Sequence, residues 1–170
     1  MIKANIIEEE LRDKLIYLAR LQRHKQYVHK EQGPDNFDCA GLVHYIYKEL
    51  FDIDIFEDGY GLSTTTKLMT SSYGKIILFD EYSLNKDLSI VKRVDILFFH
   101  RQSKSDNIPK EDNYYPGHCG IYLGNNKFIH CTKSKGLVYI SNFEKYEYWK
   151  KVLGGSKDII LDGKIYKIKK

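Results

Sequence analysis

The 170-residue chain predicts an α+β fold. Three observations carry this. Two stretches of helical periodicity stand in the first third. Short apolar, β-rich runs follow from Val94 onward. A turn signal at Gly124-Asn125-Asn126 joins two of those runs as a hairpin. One domain over residues 1–170 is expected, long enough to bury a core.

The first helix is predicted over Glu8–Gln22. Ile7, Leu11, Leu15 and Leu18 recur at helical spacing, with Glu8, Glu9, Arg12 and Asp13 between them. Gly33-Pro34-Asp35-Asn36 is a turn cluster. Leu42, Val43, Ile46, Leu50 and Phe51 resume the helical period, so a second helix starts near Asp38-Cys39, with Asp38 as N-cap. Ser63-Thr64-Thr65-Thr66 can open a short helix, and Ile76–Phe79 reads as a strand or bridging segment. Ile96–Phe99 is an apolar run suited to a strand buried on both faces. A polar loop, Arg101–Pro116, leads to the strand His118–Leu123. Beyond the turn the chain returns along Lys127–Thr132, and Leu137–Ile140 offers a further strand. The predicted sheet is antiparallel, with the helices packed on it.

Composition bounds function. No apolar run is long enough to span a bilayer. Met1–Glu10 lacks the basic flank, apolar segment and cleavage site of a secretory signal, so action in the cytoplasm or export by a non-Sec route is expected. Net charge is +4, and from Lys133 onward ten Lys stand against four Asp or Glu. A basic face of this kind steers polyanions or is simply solvated. Zinc-finger, RNA-binding and phosphate-loop motifs are absent, so no nucleic-acid partner is expected. Three cysteines, Cys39, Cys119 and Cys131, are too few and too odd in number for a disulfide framework.

Chemistry concentrates at Cys39. A helix N-terminus stabilises a thiolate, and its free N–H groups can hold an oxyanion. Cys39 stands at such a point; the alternative is a buried structural cysteine. Among the six histidines, His24 and His29 lie in polar sequence, His44 falls well round the helix from Cys39, and His100 follows the apolar strand. His118 and His130 flank one hairpin. Strand side chains alternate, so an odd-length loop places His118 and His130 on one face and Cys119 and Cys131 on the other. An even-length loop separates the histidines. With the odd parity, His118 can serve as base to Cys39 and His130 can orient it. His118, Cys119, His130 and Cys131 also invite a zinc reading. Adjacent strand residues diverge, however, and the spacings are not those of a structural site, so no metal is expected. Cys119 and Cys131 read as small core residues, compatible with a cross-strand disulfide.

These motifs resemble the NlpC family of cell-wall cysteine peptidases. Tyr27-Val28 and Gly33–Val43, with Asp38-Cys39-Ala40-Gly41 at its centre, resemble the nucleophile region. Val94–Phe99 is similar to the apolar strand that follows it in order, His118–Gly124 to the catalytic-histidine strand, and Phe128-Ile129-His130 to the strand of the third polar residue. The resemblance implies a papain-like core, no cofactor and hydrolysis of peptidoglycan stem peptides, usually at the bond from D-γ-glutamyl to a diamino acid. It implies Cys39 as nucleophile, His118 as general base, His130 as orienting residue, and Tyr27 and Asp38 beside the substrate. Ala40 stands where the family usually has Ser, and Val94 where it usually has Gly. The Arg101–Pro116 loop, with Tyr114 and Tyr115 before His118, is long enough to narrow the cleft. Two rivals are an amidase, deamidase or acyltransferase acting on a protein or lipid, and a catalytically silent binding module.

Overall fold

The structure, a computed structural model, describes residues 2–55, 64–80, 84–100, 116–161 and 163–165. Its element order begins with α1 (Ile2–Leu21), β1 (Gln26–Tyr27), β2 (Asn36–Phe37), α2 (Cys39–Phe51), α3 (Thr64–Thr70) and β3 (Lys75–Leu78). It continues with β4 (Ile96–His100), β5 (Pro116–Gly124), β6 (Lys127–Thr132), β7 (Leu137–Asn142), α4 (Glu147–Val152), β8 (Leu153–Asp158), β9 (Ile160–Leu161) and β10 (Lys164–Ile165). The Arg101–Tyr115 part of the predicted loop, including Tyr114 and Tyr115, lies outside the described residues, as does most of the basic tail.

Eight strands form one sheet in the order β2-β1-β7-β6-β5-β4-β8-β3, with β9 and β10 as a separate pair. Pairing is antiparallel except for the short β1–β2 contact. Strand alternation divides two cores. Ile96, Phe98, Cys119, Ile121, Ile129 and Cys131 face the helices, where Leu15, Leu42, Val43, Ile46 and Tyr47 meet them. Leu97, Phe99, Tyr122 and Phe128 face the other way, onto Phe143, Val152, Leu153 and Trp149. The sheet is therefore covered on both sides. Every residue of β4 is buried, as its unbroken apolar run requires.

The α2 helix starts where expected. Asp38 Oδ1 accepts from Gly41 N at 2.7 Å and Oδ2 accepts from Lys30 N at 3.0 Å, so one carboxylate caps the helix and fixes the loop before it. Gly41 is needed for that approach, because a Cβ there would meet Glu31 O at 2.2 Å. One difference from expectation has a clear cause. Arg12, read as part of a polar helix face, is buried; its guanidinium reaches Arg93 O at 2.7 Å and ion-pairs with Glu8 and Asp158. Leu153-Gly154-Gly155-Ser156, to which the sequence pattern assigns no element, opens the buried strand β8, held between β4 and β3. Lys157 on that strand is 1% exposed, and its Nζ donates to the carbonyls of Leu68, Met69 and Ser71 at the C-terminal end of α3.

Candidate active site

The hairpin that carries the two histidines decides the geometry. The turn is two residues long, Asn125-Asn126, both with positive φ (51° and 61°), as a type I′ turn requires. Alone it would give the even parity that separates His118 from His130. The register slips between Tyr122 and Gly124, and Gly124 takes φ 85°. One extra residue thus enters β5 as a bulge, and from there on Tyr122 opposes Phe128 and Ile121 opposes Ile129. Odd parity is restored by the bulge, not by a three-residue loop. Gly120 completes the arrangement: a Cβ there would lie 3.1 Å from His130 Cβ.

With that register, His118 and His130 share a face, and His118 Nε2 lies 2.7 Å from His130 Nδ1. His130 Nε2 in turn lies 2.8 Å from Ser141 Oγ on β7. His118, His130 and Ser141 form a diagonal line across three strands. His130 has no exposed surface and is packed by the rings of Phe128, Tyr139 and Trp149. Burial, and then the neighbouring charge of His118, hold its basicity well below that of an ordinary histidine. A neutral His130 accepts from His118 Nε2–H at Nδ1 and donates from Nε2 to Ser141 Oγ. The Nδ1 atom of His118 is left for Cys39.

Cys39 is half-buried at the first position of α2 and lines a cleft of about 230 Å³ with Tyr27, His100, His118, Tyr148 and Trp149. Its thiol is held well below the ordinary value. The cause is first a hydrogen bond from the Cys119 thiol, then hydrogen-bonding and charge from His118, then the Cys119 backbone N–H; burial opposes all three. Cys119 is pushed well up, first because it donates to Cys39 and then by burial. All three cysteines are free. Cys131 Sγ instead donates to Phe37 O at 3.3 Å, and its thiol is pushed up to about 12, chiefly by burial. Among the described residues, no group of three or more His, Cys, Asp or Glu side chains is placed to hold a metal ion, and no helix is long and apolar enough to cross a membrane.

The structure thus brings Cys39, His118 and His130 together, with Tyr27 on the cleft wall and its phenol pushed up to about 12 by burial and by the negative charges of Cys39 and Asp38. Asp38 does not line the cleft; its oxygens serve the cap and the loop. Ala40 is buried in the core at 2% exposure. His44 turns away toward Asp54, while His24 and His29 are exposed. Sequence reasoning missed Ser141, which strand parity from Tyr139 would have found, and missed Trp149 and Tyr148, which lie on a short helix with no apolar period. It placed Cys119 in the core but not against Cys39.

The NlpC/P60 family model matches residues 24–157. The chain belongs to the NlpC/P60 family. Among curated NlpC/P60 relatives, it is 27% identical to the gamma-DL-glutamyl hydrolase of Bacillus subtilis over 95% of this chain and 33% of that protein. It is 26% identical to the probable endopeptidase YafL of Escherichia coli over 86% and 49%. It is 29% identical to the peptidoglycan DL-endopeptidase CwlO of Bacillus licheniformis over 70% and 20%. The chain spans half or less of the length of each. Solved folds agree. NlpC2 from Trichomonas vaginalis superposes with TM-score 0.61 at 22% identity, covering 86% of this chain and 46% of that one. The NlpC/p60 domain of the peptidoglycan hydrolase SagA superposes with TM-score 0.58 at 19% identity, covering 85% and 95%. The fold is the papain-like α+β fold of this family.

Proposed function

We propose that the chain is a thiol amide hydrolase that cuts peptidoglycan stem peptides, at the bond from D-γ-glutamyl to a diamino acid. The observation that carries the chemistry is the unbroken line of contacts from Cys39 through His118 and His130 to Ser141. His118 takes the Cys39 proton at Nδ1, and His130 holds the resulting imidazolium by accepting at Nδ1 from Nε2–H. The thiolate sulfur attacks the amide carbonyl carbon. The oxyanion that forms meets the N–H groups at the very start of α2, ahead of Gly41 and Leu42, whose N–H groups are taken by Asp38. The C–N bond breaks, and His118 gives its proton to the leaving amine. Water, deprotonated by His118, then cleaves the thioester and restores Cys39.

The substrate assignment draws support from the names of the relatives, which describe hydrolysis of glutamyl or murein peptides. Buried Ala40 offers no hydroxyl to a substrate amine, so recognition of an unlinked stem N-terminus falls to other groups. A second reading, cleavage of a γ-glutamyl polymer, is favoured by Lys133 at the cleft, where no Asp or Glu is found among the described lining residues. Digestion of purified muropeptides and, separately, of poly-γ-glutamate, followed by mass spectrometry, names the bond cut. The proposal fails if neither is cleaved, or if Cys39→Ala leaves turnover unchanged.

A further inference from the structure

The short helix α4 ends without a linker: Val152 is its last residue and Leu153 opens β8. Leu153 is extended (φ −65°, ψ 116°), so no left-handed turn folds back over the last carbonyls. At the other end, Tyr146 gives no side-chain hydrogen bond to the first N–H groups. Six residues with neither end capped in these ways make a marginal helix. The missing partner comes from elsewhere in the chain. Lys86, itself buried, donates from Nζ to the carbonyls of Lys150 and Lys151, at 2.8 Å each. A cation is the charge that a helix C-terminus favours.

What α4 carries makes this anchor matter for the site. Trp149 precedes Lys150, whose carbonyl Lys86 holds. Its half-buried indole lines the cleft. Among the described residues, Trp149 is the one outside the His118–His130 pair whose ring meets both of them. The ring centres are 5.6 Å apart at 37° for His118, and 4.8 Å apart at 89° for His130. The same indole packs on Phe99 and Phe128 of the sheet, at 5.3 and 5.6 Å. It thus stands against both partners of the 2.7 Å contact between His118 Nε2 and His130 Nδ1. Water reaching that contact would compete for both nitrogens, and a drier setting strengthens the bond. Lys86 does not line the cleft.

We infer that Lys86 is a positioning residue for His118 and His130, acting through α4 and the Trp149 ring. With its two carbonyls released, the last turn of α4 frays, and the indole beside it loses its fixed place. His118 then gains room to rotate away from His130 and from Cys39. The inference rests on the proposed hydrolase chemistry only in its kinetic test.

The tests use the whole chain. In the unmodified protein, nuclear Overhauser contacts should join the indole of Trp149, the one tryptophan present, to ring protons of both His118 and His130. Absence of either contact overturns the proposal, and no variant is needed to see it. Lys86→Met keeps the aliphatic stem and removes the donor. It should lower kcat about 10-fold, within the roughly 10²-fold that a misplacement of about 1 Å costs, at a KM close to that of the unmodified protein. It should also slow alkylation of Cys39 by iodoacetamide about 3–10-fold at about pH 6.5, where an unassisted thiol is almost wholly protonated. Where Lys86→Met fails to fold, Lys86→Gln, which keeps one donor toward these carbonyls, is read in the same way. Alkylation needs no substrate, so slowed labelling in a chain that cleaves no peptide rejects the hydrolase reading and keeps this one. Trp149→Ala should slow alkylation too, and adding Lys86→Met to it should cost little more, because both act through one ring. Additive losses, or a folded Lys86 variant with unchanged alkylation, overturn the proposal.

Discussion

His130 Nε2 lies 2.8 Å from Ser141 Oγ, at a histidine with no solvent-exposed surface. A buried imidazole needs a partner at each nitrogen, and here His118 takes one and Ser141 the other. Donation from His118 Nε2–H makes Nδ1 of His130 the acceptor, and the hydroxyl, free to accept, takes the hydrogen bond from Nε2–H and holds the ring in place.

Removing Ser141 should have a small and specific effect. Ser141→Ala is expected to lower kcat on a cleaved peptide about 5–10-fold, the scale of one hydrogen bond. KM should stay close to wild type. The measurement is steady-state kinetics across pH, with Ser141→Thr restoring most of the rate.

Removing the orienting imidazole should cost more. His130→Ala is expected to reduce kcat by roughly 10²–10³-fold, within the usual range for disrupted acid–base catalysis. His130→Asn, which keeps a polar group toward His118 Nε2, should retain more activity than the alanine variant. Equal losses in both would remove His130 from the orienting role.

Cys39 should remain reactive at unusually low pH. Its folded-state value is depressed, so the thiolate fraction persists below the range in which a free thiol protonates. Alkylation by iodoacetamide should therefore hold its rate on descending from pH 8.5 toward neutrality, where a model thiol slows about tenfold per unit. His118→Ala should move this profile back toward the ordinary thiol.

Asp95 should give stability a pH slope of opposite sign to that of a salt-bridged carboxylate. Burial, against the Lys92 backbone N–H bond, raises it from 3.8 to about 7. The folded state then binds the proton more tightly, so this contribution is full below the unfolded value and is lost as pH rises through about 7. Denaturant midpoints should fall between pH 4 and 7, by about 2–4 kcal/mol of stability attributable to this residue. Asp95→Asn should flatten the slope.

Lys157 should act as a structural cation. Lys157→Met keeps the aliphatic stem but leaves the carbonyls of Leu68, Met69 and Ser71 without their buried donor. A loss of about 2–4 kcal/mol is expected by chemical denaturation. Hydrogen exchange should quicken most in α3 and in β8.

Much of this architecture is legible in the amino-acid sequence. Cys39 at a helix mouth, Asp38 as its cap, and paired histidines on one hairpin follow from local rules of capping and pleat. What stayed hidden depended on partners distant in sequence. Gly154-Gly155 carries no strand signal because glycine disfavours strands, yet β4 and β3 hold it from both sides, and Gly154 leaves room for the His100 ring. Arg12 reads as solvent-facing until Asp158, on β8, comes alongside. The cleft wall of Tyr148 and Trp149 belongs to a six-residue helix, too short for periodicity to register.

The bulge at Tyr122–Gly124 gives the hairpin something like a reading frame. Substitutions within Asn125-Asn126 that tolerate positive φ leave the frame intact. Loss or gain of a single residue shifts it, sending the two imidazoles to opposite sides of the sheet while the strands still pair. A change of two restores it. In any library built on this scaffold, survivors with altered turn length should fall into even-numbered classes, and inactive but well-folded members should collect at the odd ones.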